Sequence, residues 1–330
     1  MSSPRSGRIR NQLCAAFSKT NQEDPGGTAP SWDRCLVLEL ARPWADEVVD
    51  SAGLPPAVLE TLNRMEKQGR ATRLQCVAPD PEYSLDGHTR VMLYSGPDAP
   101  MNTYHSDEFQ VPRGQTGPLV EALLEHPERL PTFERYRQDT SHIRDIFVCT
   151  HGSHDVCCAS FGYPIYDALR QRHAPEAGGA LRAWRVSHLG GHRFAPNLLD
   201  MPEGRNWVRV GVDDLEPLVL RKGPVSDLKQ LYRGWTALDS PYEQAAEREV
   251  FMREGWGWTD RLVSGKLLSV EDDGRKAQVR IDFAGPRDGD SGAYEATVEI
   301  TGSVPRVDCL RGQETGDEPQ YAISRLVKVG

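Results

Sequence analysis

The stretch from Cys149 to Cys158, CTHGSHDVCC, puts three cysteines and two histidines into ten positions directly after the strand-like run RDIFVC. Loops at strand ends are held by a rigid scaffold and commonly carry chemistry. A second dense stretch, SHLGGHRFA, follows the strand-like run LRAWRVSH and supplies His188 and His192. Two histidines four apart would share a face if helical, as in zinc proteases. Gly190 and Gly191 lie between them, however, and each glycine inside a helix costs roughly 1 kcal/mol relative to alanine. A loop is therefore expected, in which the glycines let both imidazoles reach one bound object. No glutamate follows His188, so the general base of a metalloprotease is missing. Thiolates and imidazoles together suit zinc or an iron–sulfur cluster and disfavour magnesium or calcium. The spacing of Cys149 and Cys158, without short Cys-x-x-Cys knuckles, leans toward a cluster and leaves both options open.

Around these loops the pattern is α/β. Cys35 to Leu40 reads as a buried strand, and LPPAVLETLNRMEKQG as a helix with Gly69 at its C-terminal end. ATRLQCVAP and TRVMLYSG read as strands and GPLVEALLEHPERL as a helix. The middle of the chain repeats the rhythm: RDIFVC as a strand, YPIYDALRQRH as a helix with Pro164 in its first turn, and LRAWRVSH as a strand. NLLD and NWVRV then flank the turn MPEGR as a hairpin, and VDDLEPLVL starts a further helix. The repeated order suggests a weak internal duplication. SPYEQAAEREVFMREG reads as a helix opened by Ser240. Beyond Trp258, LVSGKLLSV, KAQVRIDF, AYEATVEIT, RVDCL and YAISRLVKV read as antiparallel strands, with GPRDGDSG and GQETGDEP as exposed loops. The expected organisation is a polar leader over 1–30, an α/β domain over 31–140, a second α/β domain over 141–235, and a helix with a small antiparallel β extension over 236–330.

Bulk properties exclude several classes. A formal charge of -9 with no basic stripe argues against nucleic-acid binding. No apolar run is long enough to span a bilayer, and the N-terminal residues lack the apolar core of a secretory signal. Seven scattered cysteines do not look like a disulfide framework. The expectation is a cytoplasmic chain with reduced thiols.

CTHGSHDVCC followed by SHLGGHRFAPNLLDMPEGRNWVRV resembles the sucrase/ferredoxin-like family, whose members are thioredoxin-like [2Fe–2S] ferredoxins with two cysteine and two histidine ligands. The resemblance is strongest over about residues 145–220, and CAAFSKTNQEDPGGTAP with RCLVLELARPW resembles the family's N-terminal portion. It implies Cys149 and Cys158 as thiolate ligands and His188 and His192 as imidazole ligands of a [2Fe–2S] cluster. It also implies a thioredoxin-like ferredoxin domain over 141–235 and one-electron exchange with an unknown redox partner protein; the repeated element order suggests that the preceding α/β unit is a degenerate relative of that domain. In that pattern Cys157 is not a ligand. Where the family usually has an arginine, this chain has His154, which puts the support of the cluster loop in question.

His151, His154, Gly190, Gly191 and Arg193 are the expected supporting residues around the ligands. His151 reads as a loop-ordering residue that bonds backbone. Cys14, Cys35, Cys76 and Cys309 read as small buried hydrophobes, and His88, His105, His126, His142 and His173 as surface residues. The rival to an electron carrier is a zinc-stabilised interaction module with the same four ligands. A sugar hydrolase needs two carboxylates flanking a glycosidic bond, and no acidic pair stands out. A thiol oxidoreductase needs a Cys-x-x-Cys motif, which is absent.

Overall fold

The computed structural model describes residues 13–96, 100–287, 289–308 and 313–329. A short helix α1, Cys14–Thr20, precedes the first strand, β1, Arg34–Glu39. The four central residues of β1 are all buried, as a strand covered on both faces requires. Cys35 and Val37 join one hydrophobic core, and Leu36 and Leu38 the other. Helix α2, Pro56–Lys67, leads to β2, Arg73–Val77, which lies parallel to β1. Gly69, just past α2, takes φ +73°, the left-handed conformation expected of a helix-ending glycine. β3, His88–Ser95, runs antiparallel to β1, and β4, His105–Pro112, runs antiparallel to β3. Helix α3, Thr116–Leu124, packs with α2 over the Leu36 and Leu38 face.

The second half of the sheet repeats this pattern. β5, Arg144–Cys149, passes through helix α4, Val156–Ala168, to a parallel partner β6, Leu181–Val186. β7, Asn197–Met201, is antiparallel to β5, and β8, Arg205–Val208, is antiparallel to β7. The expected hairpin around MPEGR is therefore present. With β9, Tyr232–Trp235, the nine strands form one mixed sheet in the order β4-β3-β1-β2-β6-β5-β7-β8-β9.

The halves meet where β2 and β6 pair antiparallel at Val77 and Val186. The amides of Ala78 and Ser187 extend the seam by donating to the carbonyls of Arg185 and Cys76, at 2.9 and 2.8 Å. A buried polar network reinforces it. Asp145 accepts from Arg182, Trp184 and Tyr94, and Arg182 also forks onto Glu108 at 2.9 and 2.7 Å. Buried charge is tolerable only when paired in this way.

After a short helix α5, Leu215–Leu220, and a longer one, α6, Pro241–Glu254, the chain forms a separate four-stranded antiparallel sheet. Ser240 caps α6, its hydroxyl accepting from the Glu243 amide. The strands are β10, Leu262–Val270; β11, Lys276–Ala284; β12, Ser291–Asp308; and β13, Gln313–Val329. Trp258, Phe283 and Tyr294 belong to the same core cluster as Trp207 and Trp235, so this sheet shares the main core.

Several expectations fail in detail. β4 was not anticipated: it is an edge strand carrying His105, Asp107 and Glu108, and such charges mask a strand pattern, although Glu108 turns inward to Arg182. The helix expected from Tyr163 begins at Val156, so Pro164 sits inside it rather than in its first turn. RVDCL is not a strand of its own, since Arg306 to Asp308 continue β12, and much of GQETGDEP lies in β13 rather than in a loop. His173 is buried, at 5% exposure, in a π-helical turn after α4 rather than on the surface.

Candidate metal centre

β5 delivers Cys149 as its last residue, fully buried. The chain then turns through Thr150–Asp155, and the Asp155 carboxylate accepts from the Cys157 amide at 2.7 Å, capping α4. That cap starts the helix early, and so Cys157 and Cys158 occupy its first turn instead of the loop. Adjacent helical positions point different ways. Cys158 turns toward Cys149, while Cys157 packs with Cys14, Ala15 and Ala195.

β6 delivers the second loop. Gly190 and Gly191 adopt φ +87° and +70°, which turn the chain so that His188 and His192 lie on either side with ring centroids 5.7 Å apart. The donors fall into two overlapping groups, each with its ligand atoms within 4.8 Å of one another: Cys149, Cys158 and His188 in one, His154, His188 and His192 in the other. Cys158 Sγ lies 3.5 Å from His188 Nδ1. All four expected ligands thus converge, with His188 as the link, and His154 comes with them. The His154 ring stacks on His188 with centroids 3.8 Å apart and planes inclined by 26°.

The electrostatics suit metal donors. Burial alone would raise the Cys149 thiol, but hydrogen bonds from Cys158 and from the amides of His151 and Leu189 outweigh it and lower its pKa. Cys158, donating to that sulfur and buried, is held as the thiol. Burial, with His154 and His192 close by, drops His188 to about 2, so it is a neutral imidazole with a nitrogen lone pair to offer. His192 Nδ1 lies 3.8 Å from the Asp155 carboxylate.

The support around the loops comes from unexpected places. His151, 2% exposed, donates from Nε2 to the Ala45 carbonyl at 2.7 Å and accepts the His188 amide on Nδ1 at 3.2 Å. Ser153 donates to the Trp44 carbonyl, and His154 Nδ1 donates to the Asp46 carbonyl at 3.0 Å. The segment after β1 thus braces the cysteine loop across more than a hundred residues of sequence, a relation no local pattern signals. Arg193 pairs with Glu23 at 2.7 Å and with Glu318 at 3.5 Å rather than with a ligand. Gly162 of α4 lets the helix cross the end of β5, because a Cβ there would lie 2.0 Å from the Cys149 carbonyl oxygen.

Cys14, Asp155 and Cys157 form a further donor group. Cys14 is disulfide-bonded, so its sulfur is committed and the expectation of wholly reduced thiols fails at that position. Cys35 and Cys76 are buried core residues with thiols pushed up to about 12 by burial. Cys309 lies outside the described residues. Among the described residues no helix is long and apolar enough to cross a membrane.

Comparison with known proteins bears on the same region. Altered inheritance of mitochondria protein 32 of Meyerozyma guilliermondii is 22% identical over 237 residues, covering 63% of this chain and 83% of that protein. No solved structure matches. The model of the sucrase/ferredoxin-like family matches residues 25–234, which include both halves of the sheet and all of the converging donors. The chain belongs to the sucrase/ferredoxin-like family.

Proposed function

We propose that this chain is a one-electron carrier holding a [2Fe–2S] cluster on Cys149, Cys158, His188 and His192, within a thioredoxin-like unit built from β5 to β8. The strand order β6-β5-β7-β8, with β5 and β6 parallel and the rest antiparallel, is what a thioredoxin-like arrangement requires. The single observation that carries the reading is the donor geometry. Four ligands of one tetrahedral zinc would sit within about 4 Å of one another, given Zn–S near 2.3 Å. Here the two thiols group with His188, and His192 joins only through His188. A two-iron centre asks for that more spread arrangement.

When bound, a [2Fe–2S] cluster accepts and releases one electron. The chain's part is to set the conditions. Amides of His151 and Leu189 donate to Cys149 Sγ and stabilise it as a thiolate. The N-terminus of α4 favours negative charge on Cys158 once its proton has left. His188 and His192 contribute no charge when neutral, which leaves the site less negative than four thiolates would and favours reduction. Cys149 and Cys158 are buried, whereas His154, His188 and His192 are partly exposed. His154 and His188 form part of the wall of a cavity of about 430 Å³. A redox partner protein therefore approaches from the imidazole side.

Anaerobic purification with iron and acid-labile sulfide analysis tests the reading. The expected protein is red-brown with two irons and two sulfides per chain. A colourless protein containing one zinc would replace this reading with the interaction module built on the same donors.

A further inference from the structure

Two arginines lie under the histidine loop. Arg73, the first residue of β2, donates from one terminal nitrogen to the Leu189 carbonyl at 3.1 Å. Arg233, on β9 and 6% exposed, donates to the Gly190 carbonyl at 3.1 Å and through Nε to Thr28. The Arg233 guanidinium fits under Gly191 so closely that a Cβ there would lie 2.8 Å from it. Arg73 lines the cavity walled by His154 and His188. The turn joining the two imidazole donors is thus gripped from the N-terminal half of the sheet and from its far edge.

Among the described residues neither guanidinium is bonded to an acid, and Glu23 and Glu318 act on Arg233 only at longer range. The carboxylates of those two acids bond Arg193 instead. Arginine cannot shed its proton in a protein. Burying such a charge without a counter-charge is unfavourable unless something close by becomes negative. The turn they hold joins His188 to His192, the imidazole donors of the proposed electron-carrying centre.

We infer that Arg73 and Arg233 are positioning residues that hold the Leu189–Gly191 turn by its carbonyls and stabilise the negative charge the centre gains on reduction. This rests on the electron-carrier reading. Because Arg233 is buried, salt screens its effect only slightly, whereas the half-exposed Arg73 is screened more.

The test is equilibrium redox titration of the full-length, cluster-loaded protein, at low and high salt, for the wild type, Arg73→Gln, Arg233→Gln, Arg73→Lys and Arg233→Lys. In each glutamine variant the reduced-to-oxidised ratio at a fixed poise is expected to fall roughly tenfold, a shift of about 59 mV for one electron. At Arg233 the shift should persist at high salt, and lysine should restore most of the potential at both positions. Wild-type potentials in glutamine variants that retain full iron would overturn the inference and leave the electron-carrier reading intact. Lysine variants shifted as far as the glutamine ones would also overturn it, by assigning the effect to hydrogen-bond geometry alone. If Arg233→Gln fails to hold iron, the more accessible Arg73 variants decide by the same criteria. Wild-type protein without iron and sulfide would overturn the reading and this inference together.

Discussion

The two halves of the nine-stranded sheet run the same strand pairing, yet among the described residues only the second gathers candidate metal donors. After β1 the chain continues LARPWADE, and after β5 it continues THGSHD. The first segment holds no cysteine or histidine. It offers the carbonyls of Trp44, Ala45 and Asp46 to the side chains of Ser153, His151 and His154 in the second. The thiols differ in the same sense. Cys35 and Cys76 lie within strands, where burial pushes both to about 12. Cys149 ends its strand within reach of two amides and a second thiol, and its pKa is lowered. A cysteine's place relative to the strand end and the helix start, rather than its burial, separates a packing residue from a proposed ligand.

The largest effect should come from exchanging these roles. Cys158→Ser should abolish iron binding in the purified protein, while Cys76→Ala should keep full iron and lose only about 1 kcal/mol of packing. Equal iron in both variants would dissolve the distinction between the halves.

Acid comes next. His188 is depressed to about 2 from an ordinary 6.5, and burial lowers His151 as well. The unfolded chain binds these protons near pH 6.5 and the folded chain does not. Stability of metal-stripped protein is therefore fully present above about pH 6.5. It falls on acidification below that, by up to about 1.4 kcal/mol per pH unit from His188. Urea midpoints between pH 7.5 and 4.5 check this, and His188→Gln should flatten most of the slope.

Helix packing on the site follows. Gly162→Ala drives a methyl into the Cys149 carbonyl and should cost about 1–3 kcal/mol by urea unfolding. Smaller still is the brace between the halves. His151→Ala should lower metal affinity roughly 10- to 100-fold while removing about 1–2 kcal/mol of stability. An unchanged affinity there would show that the first half is dispensable to the site.

Much of this organisation was legible in the sequence. The run RDIFVC marks β5 to the residue, and the MPEGR hairpin and the helix opened by Ser240 follow from local turn and capping chemistry. The early start of α4 was hidden because Asp155 reads equally well as part of a metal loop and as a helix cap. β12 runs past Pro305 because beyond Glu299 it no longer pairs with β11, so a proline can face that side without losing a ladder bond. At the site, glycines and donor residues announced the two loops. His154 stacked on His188, the brace from Ala45 and the guanidinia of Arg73 and Arg233 did not appear. Each joins residues far apart in the chain, through contacts that depend on how strands order themselves in the sheet.

The convergence of thiol and imidazole donors on one centre is tested most directly by pulsed EPR of the reduced protein carrying ¹⁵N-labelled histidine. The account predicts strong coupling to two histidine nitrogens, with one lost and the cluster retained in His192→Cys. A reduced cluster with no strongly coupled histidine nitrogen would contradict it.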